Sequence, residues 1–565
     1  MNKKQLILCA LAALIFTGCS SNSTSRPATV TNEEIAALYK DLPFEMPVLK
    51  IPTFPNRELN IADLGAISDG VFDNGEIIND AISRIAAQGG GTVVIPPGLW
   101  LSGPIVFQSN INLHLERGAM LLFSTDKDLY LPLIETSFEG LDTRRMQSPI
   151  SGKGLENIAI TGGGTIDGNG QAWRYVKIEK QTERQWRELL ASGGVTNEKG
   201  TEWYPSESFK LGKSNVIDQN VPVPPTTEEG WLAIRDFLRP VMISFRECKN
   251  VWLDGVTFQN SPAWNIHPLM CENVLVTGIT VRNPWYSQNG DGIDLESCKN
   301  SIIYKSSFDV GDDAICIKSG KDEDGRRRAV PTENLIVSHN VVYHGHGGFV
   351  IGSEMSSGVR NVVVRNCLFM GTAAGLRFKS RRGRGGLVEN IYIDNINMIN
   401  IKVDPITFEL FYGGRSPLEQ MMRQAEASNE PVALEPVTVE TPVFRNIIIT
   451  NVTSSGSARA MYFNGLPEMR VENINISNAT FLSTRGAAIG EANGLKMTNV
   501  VIDAKEGPMI TLFNVTNSVL DNVRSLNPAN DAIRVGGTFS TNIQLKNMQI
   551  SPENIDAPEG VVIGL

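Results

Sequence analysis

The chain has 565 residues, 41% hydrophobic and 20% charged, which excludes a disordered protein and leaves several ordinary domains or one large repetitive one. Its formal net charge of −10 excludes a generally basic nucleic-acid binder, because neutralising phosphates needs a basic face. An acidic polymer suits that charge only where cations cluster locally, as they do at Arg377, Lys379, Arg381, Arg382 and Arg384.

At the start, Lys3 and Lys4 precede the apolar run Leu6 to Phe16, which closes at Thr17-Gly18-Cys19. The run is too short for a spanning helix and reads as a signal peptide over residues 1–18. The small residues before Cys19 resemble a bacterial lipoprotein processing site, with Phe16 where leucine is usual. That resemblance implies acylation of Cys19 and an exported lipoprotein of the cell envelope, at the outer membrane or in the periplasm, touching membrane only through its lipid. The plainer alternative, a secretory signal, also exports the chain. Of seven cysteines, Cys248, Cys271, Cys298, Cys316 and Cys367 remain after Cys9 and Cys19, an odd number without metal-ligand spacing. They are expected to be buried small hydrophobes, not disulfides.

Residues 19–59 read as a tether and a proline-marked lead-in lying along the body. Ile77, Ile78, Ala81, Ile82 and Ile85 then share one face at helical spacing, with Asp73 or Asn74 as the start signal and Gly89-Gly90-Gly91 as the stop. Such a helix suits the end cap that a stacked-strand fold needs over its open edge. From there an asparagine followed by alternating apolar residues recurs: Asn157, Asn250, Asn273, Asn300, Asn334, Asn361, Asn390, Asn446, Asn473 and Asn542. In mid-chain the spacing runs from 23 (Asn250 to Asn273) to 34 (Asn300 to Asn334), an interval typical of solenoids. Short strands at that interval predict an all-β, right-handed parallel β-helix over residues 60–550, with a C-terminal tail at 551–565. A β-sandwich would want antiparallel hairpins with two-residue turns, and such signals are scarce. Two stretches break the period. Residues 171–240 carry Trp173, Trp186, Trp203, Tyr204 and Trp231, and residues 414–442 are polar and in part helical by pattern. Solenoid insertions map to loops on one face, so these aromatics form either a sugar-stacking wall or the packing of the insertion.

Charged clusters are embedded in the repeats: Asn289-Gly290-Asp291, Gly311-Asp312-Asp313, Gly345-His346-Gly347 and Arg377-Phe378-Lys379. Glycosidic cleavage needs one carboxylic acid to protonate the leaving oxygen and another carboxylate on the opposite side, roughly 6.5–9.5 Å away in inverting enzymes. Adjacent coils lie about 4.8 Å apart. Asp291 and the Asp312–Asp313 pair, one coil apart, are therefore candidates, and close acids drive each other's protonation apart. A lone histidine is usually structural, but glycines on both sides leave His346 uncovered one coil later. Arg377 and Lys379 point to one face of a strand, where they are able to hold a substrate carboxylate.

In this order the clusters resemble glycoside hydrolase family 28, the polygalacturonases, whose pattern is Asn-Thr-Asp, Gly-Asp-Asp, Gly-His-Gly and Arg-Ile-Lys. Gly290 and Phe378 depart from it at spacer positions, and Gly162 to Gly170 resembles the family's glycine-rich coil. The resemblance implies Asp312 as general acid, Asp291 and Asp313 as activators of the attacking water, and His346 sharing the proton of Asp312. It further implies substrate binding by Asn289, Arg377 and Lys379, and by Tyr412. Asp294 and Glu296, outside the motifs, are left without a role. No cofactor and no metal is expected. The substrate implied is pectic homogalacturonan or its oligomers, and similarity of Asn289–Cys298 and Gly311–Arg326 to the exo-acting bacterial branch implies exo action. Alternatives are a rhamnogalacturonan or xylogalacturonan hydrolase, a calcium-dependent pectate lyase, and a non-catalytic β-helical adhesin.

Overall fold

The computed structural model describes residues 28–412, 418, 434–527, 532–548 and 550–563. The signal segment with Cys19 and most of the 414–442 insertion lie outside them, and residues 434–442 are extended backbone and turn.

The repeats coil into a parallel β-helix whose strands stack as walls. One wall carries β1 (Ile266–Leu269), β2 (Ile293–Glu296), β3 (Ile315–Lys318), β4 (Gly347–Ile351), β5 (Ala374–Lys379) and β6 (Asp404–Glu409), each paired in parallel with the next. Every asparagine of the repeat motif sits at a left-handed corner, with φ between 53° at Asn542 and 61° at Asn334. Asparagine is among the few residues that accept this conformation cheaply. Its amide then bonds to the same residue one coil away: Asn273 Nδ2 donates to Asn250 Oδ1 at 2.9 Å, and Asn334 Nδ2 to Asn300 Oδ1 at 3.0 Å. Inward positions form a continuous aliphatic core, and Phe378 stacks on Phe408 there with ring centroids 4.4 Å apart.

Helix α1 (Asn32–Ala37) and the lead-in cover the outside of a second wall, where Ile35, Leu38 and Leu49 bury the outward column Ala159, Trp252, Leu275, Ile302 and Ile336. Helix α2 (Gly75–Ala87) caps the first coil with Ile78, Ala81, Ile82 and Ile85. Asn74 is its N-cap but makes no side-chain cap; Asp73 Oδ1 instead accepts from Gly75 N and Gly103 N, each at 2.8 Å. The ladders run on past residue 550, where Ile555 pairs with Ile533 and Val562 with Ile543. The five cysteines are free and buried, and Cys248, Cys271 and Cys298 stack on successive coils.

The 171–240 insertion builds a small helical annex from α3 (Glu183–Ala191), α4 (Glu207–Ser214) and α5 (Glu228–Ala233). Trp173, Tyr204 and Trp231 pack its core with Tyr130 and Phe209, and Trp186 is buried on α3. Trp203 is half-buried, its Nε1 donating to Gly193 O at 2.7 Å, and the other four form no sugar-stacking wall. Their rings hold the annex together, because its own strands and helices are too short to bury a core without large side chains.

Candidate active site

Ile293 of β2 pairs with Ile315 of β3, so Asp291 and Asp313, each two residues earlier, occupy equivalent corners of neighbouring coils. Gly292 N donates to Asp313 O at 2.9 Å across that corner. Asp291, Asp312 and Asp313 approach until one oxygen of each lies within 4.8 Å of the others. Their nearest oxygens thus lie closer than the roughly 6.5–9.5 Å usual between the two carboxyl groups of an inverting enzyme. The crowding follows from bare glycine corners. A Cβ on Gly311 would lie 2.5 Å from Pro284 O, and one on Gly290 1.8 Å from Ser287 Oγ, so Ser287 fills the space that a side chain at 290 would need.

The charges divide. Asp312 is a quarter exposed, and its Oδ1 meets His346 Nδ1 at 2.8 Å; that hydrogen bond raises the imidazole above its ordinary value. Asp313 is buried against Lys379 Nζ at 2.7 Å and Arg377 Nη1 at 3.4 Å. Burial alone would raise its carboxyl, but the two cations outweigh this and hold it at about 2. Asp291 goes the other way: burial, then the neighbouring Asp294 and Asp312, push it well above the usual carboxylate range. One buried Asp291 oxygen has no hydrogen-bond partner among the described residues.

Asp294, unassigned from sequence, lies fully buried beside Asp291 and is raised for the same reason, burial first. Lys318 Nζ, under the Trp264 ring at 4.5 Å, reaches Asp294 at 3.5 Å and Glu354 at 2.9 Å. Lys318 and Glu354 were not singled out by sequence, since only the stacking of coils brings Lys318, at the end of β3, and Glu354, just after β4, to the acids. Glu296 pairs with His267 and Arg328, away from the reacting groups. Asn289, at φ 55°, is gripped by Arg239 at 2.9 Å and Glu139 at 3.2 Å, so the annex and a hairpin set its side chain. The Lys379 ammonium lies 5.2 Å and the Arg377 guanidinium 5.8 Å from the Tyr412 ring.

Asn289, the three aspartates, Lys318, Glu354, Lys379 and Tyr412 line one cleft of about 160 Å³, together with Asp218, Lys321, Arg381 and Arg384. Asp291, Asp312 and Asp313 could approach a cation together, but Lys379 and Arg377 already neutralise Asp313. The arrangement offers a partly exposed carboxyl beside an imidazole, a depressed carboxylate, a raised one and a cationic border, equipment suited to acid–base cleavage of an acidic polymer.

Comparison with known proteins agrees with that chemistry. Residues 236–455 match the model of glycosyl hydrolases family 28. The exopolygalacturonase of Thermotoga maritima is 32% identical, covering 83% of this chain and 94% of its own, with a TM-score of 0.64. The exo-poly-alpha-D-galacturonosidase of Dickeya chrysanthemi is 25% identical over 81% of this chain and 74% of its own. A probable polygalacturonase of Vitis vinifera is 28% identical over 71% of this chain and 75% of its own. Site, fold and relatives together place this chain in glycoside hydrolase family 28, the polygalacturonase family.

Proposed function

We propose that the protein hydrolyses α-1,4-galacturonosyl bonds of homogalacturonan from a chain end, with inversion. The observation that carries hydrolysis is the meeting of Asp312 and His346 with the Asp291–Asp313 corner on one face of the coil. Asp312 donates its proton to the leaving oxygen. Asp291 and Asp313 orient a water whose oxygen attacks the anomeric carbon, and Asp313, the ionised member of this pair, takes its proton as the glycosidic bond breaks. Arg377 and Tyr412 face the sugar carboxylate, while Lys379 keeps Asp313 ionised. Membership of a hydrolase family does not favour the lyase or adhesin readings.

Exo action rests on a clasp at the cleft. Lys321, just ahead of α6 (Asp322–Arg328), reaches Asp218 of the annex at 2.5 Å and Glu139 of the Ile134–Arg145 hairpin at 3.8 Å. Its backbone N donates to Gly140 O at 3.0 Å, so three segments close over the acids' border. Opening the clasp with Asp218→Ala and Lys321→Met together is expected to shift the products from one short sugar to mixed oligomers, with a faster fall in viscosity. Mixed oligomers from the wild type itself would refute exo action. We also infer, from Lys3 to Cys19, export and lipidation at Cys19. Mass spectrometry of the mature N-terminus is the check, and an unmodified cysteine there would contradict it.

A further inference from the structure

The basic run 377–384 does not act as a block. Arg377 and Lys379 hold Asp313. Arg382 grips Glu468 through Nε and Nη2, each at 2.6 Å. Arg384 is buried, donating to Ser353 O at 3.2 Å and pairing with Asp322. Arg381 alone is exposed, lines the cleft, and makes no side-chain hydrogen bond or ion pair among the described residues. Its backbone is nevertheless fixed. Ser380 N donates to Glu409 O at 2.9 Å, Arg384 N to Arg381 O at 3.2 Å, and Gly383 and Gly385 both donate to Glu440 O. Tyr412 N donates to Ser380 O at 3.1 Å, which ties the residue before Arg381 to the one whose ring lies 5.2 Å from the Lys379 ammonium.

A free arginine on a rigid turn, two residues beyond Lys379, is suited to a carboxylate supplied by the ligand, because its planar fork matches that group. We propose that Arg381 is a specificity-determining residue that binds the carboxylate of a galacturonosyl unit next to the reacting one. The inference rests on the polygalacturonate reading above and adds a second point at which free acid is distinguished from methyl ester.

The test compares wild type, Arg381→Met and Arg381→Lys on galacturonate trimers and on the same trimers esterified at single units. Arg381→Met is expected to raise KM on the free acid about tenfold, as for one partly exposed charge-assisted bond, with kcat within about twofold. Arg381→Lys is expected to recover part of the loss, and preference for free acid at one unit to fall in Arg381→Met by the same factor. Unfolding midpoints serve as the control, since the side chain has no partner to lose. An unchanged KM on trimers that the wild type cleaves overturns the inference and leaves the proposed function standing. A loss confined to kcat places Arg381 at the reacting unit and also overturns it. A wild type inactive on galacturonate trimers and polymer overturns both.

Discussion

Asp312→Asn is expected to lower kcat on de-esterified polygalacturonate by about 10³-fold, within the range for a lost general acid, while KM moves little. The substitution keeps an oxygen able to accept from Asp313 N, now at 3.1 Å, and from His346, so the fold and the cleft survive. Steady-state reducing-sugar assays read the loss, and an unchanged unfolding midpoint shows that it is chemical. The pH profile carries a second sign. His346 holds its proton above the imidazole's ordinary 6.5, so the wild-type alkaline limb is expected above that pH. By the same linkage, stability from the raised imidazole is fully present below 6.5 and is lost as pH rises through its higher folded value. Activity persisting in Asp312→Asn would remove this residue from the proton-transfer step.

Lys379→Met is expected to be the most damaging change to the protein itself. Asp313, with a side chain 2% exposed, would keep only Arg377 at 3.4 Å. Breaking one partner of a buried pair costs about 3–5 kcal/mol, because it strands the remaining charge. A lower denaturation midpoint together with lost activity is the expected result. Adding Asp313→Asn removes the stranded charge, so the double variant is expected to regain stability over Lys379→Met without regaining activity. The pH dependence fixes the cause. Asp313 is depressed from 3.8 to about 2, so its contribution is present above 3.8 and lost as pH falls toward 2. The stability gap between wild type and Lys379→Met is therefore expected to close over that window. A gap that persists there would assign Lys379 a packing role instead.

Both predictions use residues legible in the sequence, but in relations that were not. The asparagine motif was readable because each copy meets a local backbone need, a left-handed corner, and that need recurs once per coil. The charged clusters were readable because acids and histidine stand in glycine-flanked corners at the same interval. What the chain does not display locally is partnership. Arg377 and Lys379 look alike as cations on one strand face, yet Lys379 is sequestered by Asp313 and Arg377 only partly so. Lys318 meets Glu354 from 36 residues away, and Arg239 meets Asn289 from 50, contacts that only the register of coils and the folding-back of the annex create. The annex aromatics were ambiguous for a related reason: composition shows large rings but not which side faces solvent. Instead, Trp285 is exposed on the loop leading to Asn289, with Lys180 of the annex 4.9 Å from its ring. The carboxylate spacing also escaped sequence reading, since it depends on how closely glycine corners pack.

That close spacing makes stereochemistry the point at which the account is most exposed. Proton NMR of de-esterified polygalacturonate digestion, started with chelator present and followed from the first minutes, reads product length, anomer and unsaturation together. One short saturated product is expected from the outset, released first as the β-anomer, with the polymer peak persisting. Initial release of the α-anomer would mean retention and a covalent intermediate on one of the three aspartates, and would contradict the water-activating role given to Asp291 and Asp313.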